Sequence, residues 1–187
     1  GGPSGLYTAI LVKKRRPSWQ VSVIEQNVAD STFGFGVVLA DSGLARIQAA
    51  DADVYEKLIA KMTFTGCQTI NLKEQPIDIN HPSKGGAIAR IDLLNVLQDT
   101  AAKAGVDVRF GQRISHPDDL VSLGLDDADV VIGADGVNSV VRAAHEEAFG
   151  TTKTFLTNHF AWFGTRKVFE KSALVFRQYQ GGAFVAH

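Results

Sequence analysis

Apolar positions recur at three- and four-residue steps over residues 4–16, with Leu6, Ala9, Ile10 and Lys13 in register. That spacing predicts a helix, and Pro17 stops it. A short apolar strand, Val21-Ser22-Val23-Ile24, follows and ends in Glu25. Residues 41–62 are again helical in pattern, with Asp51 as an N-cap that divides them into two helices. Residues 69–73 and 76–80 alternate apolar and polar side chains, the mark of an antiparallel hairpin with one wet face. Residues 81–86 are expected to be loop. Residues 91–103 form the clearest amphipathic helix, with Leu94, Leu97 and Ala101 on one stripe. It begins just after Arg90 and stops at Gly105. Residues 106–110 read as a strand, 118–123 as a short helix or turn, and 129–134 as an apolar strand buried on both faces. A turn then leads into a helix running to about Phe149.

Strands alternate with helices as far as Gly150, which predicts an α/β class with a parallel sheet. Beyond Gly150 the character changes. Residues 155–165, 167–177 and 178–187 read as successive strands with little helix. The expected organisation is a Rossmann-like domain over 1–150, its first strand missing, and the beginning of a β-rich second domain over 151–187. Composition changes this picture little. The chain has 187 residues, 45% apolar and 21% charged, enough to bury a core without staples. A net charge of −1 gives no electrostatic footprint for nucleic acid or an anionic membrane. One cysteine, Cys67, excludes an intrachain disulfide and any multi-cysteine metal or redox motif, so a reducing, cytoplasmic setting is the simplest expectation. No apolar run approaches the roughly 18 residues of a membrane span. None of the five histidines has metal-ligand spacing with another, so no metal site is expected.

The candidate chemistry begins at Gly1-Gly2-Pro3-Ser4-Gly5, a glycine loop opening a helix. The dinucleotide-binding fingerprint is G-x-G-x-x-G between a strand and a helix, with an acid about 20 residues on. Gly2 and Gly5 fit its second and third glycines; the first would fall just before residue 1, so the chain opens inside the motif. Glu25 lies 20 residues after Gly5, where a carboxylate accepts hydrogen bonds from ribose hydroxyls and repels a 2′-phosphate. The helix start directs backbone N–H groups and a positive dipole end at a pyrophosphate. A second strand–turn–helix, Gly133-Ala134-Asp135-Gly136-Val137-Asn138-Ser139-Val140-Val141-Arg142, sets Asp135 at a strand's carboxyl end, where open α/β sheets bind ligands. Gly136 lets the chain turn against such a ligand. The stretch Thr32-Phe33-Gly34-Phe35-Gly36-Val37-Val38-Leu39 stands open between two readings: close approach to a flat ligand, and a β-bulge with aromatic packing, which composition alone favours. The basic run Lys13-Lys14-Arg15-Arg16 reads as a solvated helix C-terminus.

The glycine loop, Glu25, the Arg90-Ile91-Asp92-Leu93-Leu94 segment and the Gly133-Ala134-Asp135-Gly136 motif with Ser139 and Arg142 resemble the FAD-dependent aromatic hydroxylases of the para-hydroxybenzoate hydroxylase type. Thr32 to Val38, Trp162-Phe163-Gly164-Thr165 and the Gly182 to His187 ending are similar to the salicyloyl-CoA 5-hydroxylase and anthraniloyl-CoA monooxygenase subgroup. The resemblance spans essentially the whole chain. It implies that Gly1, Gly2, Pro3, Ser4 and Gly5 hold the FAD pyrophosphate and that Glu25 takes the adenosine ribose. It implies Arg90 near the diphosphate or ribityl, Asp135 and Gly136 serving FAD and NAD(P)H, and Gly36, Val37 and Val38 close to the isoalloxazine. A carboxylate partner for Arg90 stays open, as does a plain sheet role for His187; Arg142 and Asn138 read as helix-surface and cap residues. The implied activity is NADH- or NADPH-dependent hydroxylation of an aromatic ring through a flavin hydroperoxide, with an aryl-CoA thioester as substrate and O₂ as co-substrate. The alternatives are a hydroxylase of a free aromatic or indole, a reductase on the same scaffold, and an inactive FAD-binding module. The family's later Gly-Asp flavin motif and most of its substrate domain are not found in residues 1–187 and are expected beyond them. The chain alone is therefore expected to bind FAD poorly and not to turn over; no catalytic residue, oligomeric state or fused reductase is read from it.

Overall fold

The computed structural model describes residues 1–64, 66–72, 75–80 and 85–187. In chain order the elements are α1 (Pro3–Arg15), β1 (Ser22–Ile24), β2 (Gly36–Leu39), α2 (Asp41–Ala50), α3 (Ala52–Ile59) and β3 (Thr63–Phe64). Then come β4 (Cys67–Leu72), β5 (Gln75–Asn80), β6 (Gly86–Ala89), α4 (Arg90–Ala104) and β7 (Asp107–Arg109). Three short helices, α5 (Asp119–Ser122), α6 (Val140–Ala144) and α7 (Glu146–Phe149), precede β8 (Ser172–Tyr179) and β9 (Gly182–Ala186). The chain forms two compact units, each built from two stretches: Gly1–Gly34 with Arg90–Ala161, and Phe35–Ala89 with Trp162–His187.

In the first unit β1 and β7 pair in parallel, Val23 opposite Val108, and α1 packs against α4. The helical stripes explain this packing. Leu6, Ala9 and Ile10 of α1 and Leu93, Leu94, Leu97 and Ala101 of α4 are all buried, with Leu6, Ile10 and Ala101 at 0% exposure. Each large apolar side chain so buried contributes about 1.5–3 kcal/mol. Lys13 does not join them; its amine donates to the Pro17 and Trp19 carbonyls (3.0 and 2.6 Å) and closes the turn after α1. Gly105, at φ 84°, ends α4 in the left-handed conformation that favours glycine.

In the second unit β6 lies between β2 and β3, antiparallel to both. Helix α3 starts as the sequence predicts: Asp51 caps it by accepting from the Val54 N–H at 3.2 Å. Leu44, Val54, Leu58 and Ile88 form the core of this unit. A four-stranded sheet has the order β5-β4-β8-β9. The predicted hairpin is present as β4 and β5, antiparallel, while β4 and β8 run parallel. The hairpin's tip at 73–74 and residues 81–84 of the expected loop lie outside the described residues. Gly86 opens β6 rather than ending a loop.

The α/β class is therefore observed, with further β-sheet after the parallel pair. Two expected strands are not. Residues 129–134 form no strand, and Val130, Val131 and Ile132 are 73%, 53% and 59% exposed. Among the described residues β1 pairs only with β7, so the run has no ladder neighbour and no covering layer. Residues 155–165 are likewise irregular, with Phe155, Phe160 and Phe163 exposed. The last two expected strands shift to β8 and β9, because Gln180 and Gly181 adopt φ of 45° and 79° and turn the chain between them. The helix expected through Phe149 breaks at His145 into α6 and α7.

Candidate functional site

Helix α1 begins with Gly2 as an N-cap that has no side chain to offer and Pro3 at the first helical position. Proline has no N–H there to satisfy, and its fixed φ suits a helix start. The first turn carries no acidic residue, whereas the last carries Lys13, Lys14 and Arg15. The positive end of the dipole and the N–H groups of the first turn thus lack a side-chain acceptor.

Glu25, one residue beyond β1, lies beside this helix start. The Asn27 backbone N–H and side-chain amide both donate to Glu25 Oε1, at 2.7 and 2.6 Å. Its other oxygen is 3.2 Å from the Gly1 nitrogen, which also donates to the Ile24 carbonyl at 3.2 Å. Burial pushes the Glu25 carboxyl upward. Hydrogen bonds from Asn27 and the nearby Gly1 nitrogen outweigh that, and the net position is below the usual glutamate value. Gly1 has to be small: a Cβ there would overlap the Glu25 side chain.

Gly1, Gly2, Glu25, Thr32, Arg90 and Gln98 line one open cleft. It encloses about 80 Å³, well below the roughly 300–1,000 Å³ of a pocket that swallows a whole small ligand. A part of a larger molecule fits it. Arg90 enters from the first turn of α4, and Leu94 and Gln98 follow on the same face at four-residue steps. Two polar atoms of this cleft, Arg90 Nε and Thr32 Oγ1, are buried without a hydrogen-bond partner. Buried polar groups are nearly always paired, so two unpartnered atoms in one cleft fit a polar ligand group there. Among the described residues no carboxylate takes up Arg90 Nε.

Gly5 faces elsewhere: a Cβ on it would lie 3.2 Å from the Ala134 Cβ. This close approach brings α1 against the turn that carries Asp135. Asp135 Oδ2 accepts from the Val140 N–H at 2.6 Å and sits 3.5 Å from the Val141 nitrogen, holding the start of α6. Burial raises its carboxyl, but the Ser139 hydroxyl and these N–H groups outweigh that and hold it low. Gly136, at φ 83°, makes the turn. The cap of α6 is Ser139, accepting from the Arg142 N–H at 3.0 Å, and not Asn138. Arg142 is more than a surface residue, since its guanidinium donates to the Val137 carbonyl and closes the same turn.

Gly36, Val37 and Val38 belong to the other unit. They pair with Ala89, Ile88 and Ala87 across β2 and β6, and a Cβ on Gly36 would meet the Ile88 carbonyl at 3.4 Å. The structure thus gathers Gly1, Gly2, Glu25 and Arg90 in one cleft and places Gly5 against the Asp135–Gly136 turn. Sequence reasoning missed Asn27 and Gln98, and it gave Thr32, the first residue of the Phe-Gly-Phe-Gly stretch, no role of its own. The four-residue spacing of Arg90, Leu94 and Gln98 was a signal for Gln98; nothing in the stretch that Thr32 opens marks its hydroxyl as unpartnered. Among the described residues no three metal-ligating side chains converge, and no helix is long and apolar enough to cross a membrane.

No family model matches the chain. It is 35% identical over 186 residues to a salicyloyl-CoA 5-hydroxylase of Streptomyces sp., an alignment covering 100% of this chain and 35% of that protein. It is 28% identical over 187 residues to a 3-hydroxy-4-methyl-anthranilyl-(aryl-carrier protein) 5-monooxygenase of Streptosporangium sibiricum, covering 100% of the chain and 51% of the relative. A protodeoxyviolaceinate monooxygenase of Chromobacterium violaceum is 28% identical over 193 residues, with 100% and 49% covered. The chain therefore spans a third to a half of the relatives it matches. Among solved structures, 2-methyl-3-hydroxypyridine-5-carboxylic acid oxygenase in its tetrameric form has a TM-score of 0.55 at 19% identity, over 63% of this chain and 31% of that one. The CtdE protein in complex with FAD and a substrate has a TM-score of 0.51 at 14% identity, over 62% and 29%. At these identities the likeness is one of fold.

Proposed function

We propose that this chain belongs to the para-hydroxybenzoate hydroxylase and salicyloyl-CoA hydroxylase family of flavin-dependent aromatic monooxygenases, and that the full-length protein hydroxylates an aromatic ring using FAD, NAD(P)H and O₂. The balance is one aromatic C–H, one O₂, one NAD(P)H and one proton giving the phenol, water and NAD(P)⁺. The observation that carries the reading is the cleft at the start of α1. An uncapped helix N-terminus, an ionised Glu25 and the unpartnered Arg90 Nε line one groove sized for part of a dinucleotide.

FAD, when bound, supplies the electron transfer and oxygen activation that side chains cannot. The chain's residues bind and orient it. Gly1, Gly2, Pro3, Ser4 and Gly5 present backbone N–H groups and the helix dipole to the pyrophosphate. Arg90 Nε donates to the same anion, and Glu25 accepts from the ribose hydroxyls. Gly5 keeps α1 close to the turn of Asp135 and Gly136, which line the path of FAD and NAD(P)H. Gly36, Val37 and Val38 are assigned to the isoalloxazine, where glycine admits a flat ring. The segment 151–187 is assigned to the start of the substrate domain.

For the substrate we infer an aromatic acyl thioester. The names of two relatives support this, one acting on a CoA ester and one on an aryl group held by a carrier protein. The protodeoxyviolaceinate relative favours a second reading, an aromatic not carried as a thioester. The deciding experiment uses full-length protein. A yellow preparation whose NAD(P)H oxidation rises with salicyloyl-CoA or anthraniloyl-CoA supports the first reading. Stimulation by free aromatics alone moves the assignment to the second, and failure to bind FAD removes both.

A further inference from the structure

We propose that Thr32 is a phosphate-contact residue of this cleft, its hydroxyl donating to the diphosphate of the bound dinucleotide beside Arg90; the inference rests on the dinucleotide reading above. Thr32 lies outside the glycine loop, the Glu25 position and the Asp135–Gly136 turn; it opens the Thr32 to Leu39 stretch, whose glycines and aromatic rings, not its hydroxyl, give that stretch its reading. The argument comes from its hydroxyl. Threonine and serine side chains ordinarily bond a nearby backbone or side-chain group. Ser31, its neighbour, donates to the Val28 carbonyl at 2.7 Å; Thr100 donates to the Val96 carbonyl at 2.7 Å; and Thr69 donates to Asp78 at 2.6 Å. Thr32 Oγ1 is buried and has no partner.

The second orphan fixes the chemistry. Arg90 Nε carries a hydrogen and no lone pair, so the ligand group that fits it is an acceptor. The segment after Thr32 runs along Arg90, since a Cβ on Gly34 would lie 3.9 Å from Arg90 Cδ. The helix start at Gly1 and Gly2 adds positive potential to the same groove. A cationic donor, a hydroxyl donor and a helix N-terminus together suit a phosphate oxygen. Glu25, an acceptor, suits the adjoining sugar and would repel the phosphate. Both orphan atoms are shielded in this structure, so the phosphate reaches them when the segment from Asn27 to Gly34 moves outward. Asp30 (φ 58°) and Gly34 (φ 91°) are the left-handed residues in that segment.

The test compares Thr32→Val and Thr32→Ser with wild type in the full-length protein. Flavin-fluorescence titration of the apoprotein should give a Kd for FAD raised roughly 10-fold in T32V and near wild type in T32S, the loss of one bond to a charged group. The melting temperature of T32V apoprotein should be unchanged or higher, because no bond is lost without ligand. ADP should weaken in T32V by a similar factor, and adenosine should not. An unchanged Kd in T32V, a lower apoprotein melting temperature, or equal weakening of adenosine overturns the proposal. Wild-type protein that binds neither FAD nor ADP overturns the dinucleotide reading itself, and this one with it.

Discussion

Among the described residues lining the cleft, Glu25 is the one acidic and Arg90 the one basic side chain. Glu25→Gln keeps the side chain's size and removes its charge. We predict a rise of roughly 10-fold in the Kd for FAD, since hydrogen bonds to a charged acceptor are the stronger kind. The lowered carboxyl of Glu25 adds a pH effect. A group whose folded pKa is depressed stabilises the fold above its unfolded value, about 4.3, and that stability is lost as pH falls through the lower folded value. Melting temperature against pH should therefore drop more steeply below about pH 4 in wild type than in E25Q; parallel acid limbs would show that Glu25 carries no such linkage. Glu25 was legible in the sequence because a spacing of 20 residues is a geometric consequence of the strand–loop–helix–strand unit. Arg90 was legible only through resemblance. Thr32 was legible only as the start of the Phe-Gly-Phe-Gly stretch; its unpartnered hydroxyl was not, because whether a hydroxyl finds a partner depends on what folds around it.

Helix boundaries follow local chemistry, and the break between α2 and α3 shows how far that reaches. Asp51 both ends one helix and caps the next, and it is buried. Asp51→Ala should cost about 1–2 kcal/mol in urea denaturation, toward the upper end because the freed Val54 N–H is left without water. The same local logic fails at 129–134 and 155–165. An apolar run reads alike whether it is a covered strand or an exposed segment; the difference is a neighbour to pair with, and β1 has β7 alone. Gly5 links these two elements, α1 and the 133–136 turn. A Cβ at 3.2 Å from Ala134 is tight but tolerable for alanine. Gly5→Val adds two branched methyls and should lose about 1–3 kcal/mol by overpacking. It should also expose the Asp135 turn to proteolysis, while G5A stays within a fraction of that loss; equal stability of the two variants would mean the contact is not tight in solution.

At the scale of the whole chain, the second unit depends on a pairing that no local pattern announces. Strands β4 and β8 run parallel, Gln68 opposite Ser172 and Leu72 opposite Phe176, across about a hundred intervening residues. Alternation marks each stretch as a strand, but it does not name the partner or the direction. Side chains reinforce the pairing from the same sheet. Lys171, just before β8, donates to Asp78 of β5, which also accepts from Thr69 of β4. The Lys171 and Thr69 hydrogen bonds hold the Asp78 carboxyl low, although Lys171 and Asp78 are exposed and the ion pair is a locating contact more than a source of stability. The ladder itself is then the main restraint on β4, with β5 on its other edge. Removing 162–187 should leave the β4–β5 hairpin without its third and fourth strands, and an isolated hairpin is marginal in water. Hydrogen exchange read by mass spectrometry should show peptides over 67–72 losing protection by orders of magnitude in that truncation. Peptides over 90–104, whose amides are bonded within α4, should keep theirs. Slow exchange persisting over 67–72 would mean that β4 is held by something other than β8, and the strand order β5-β4-β8-β9 would be wrong.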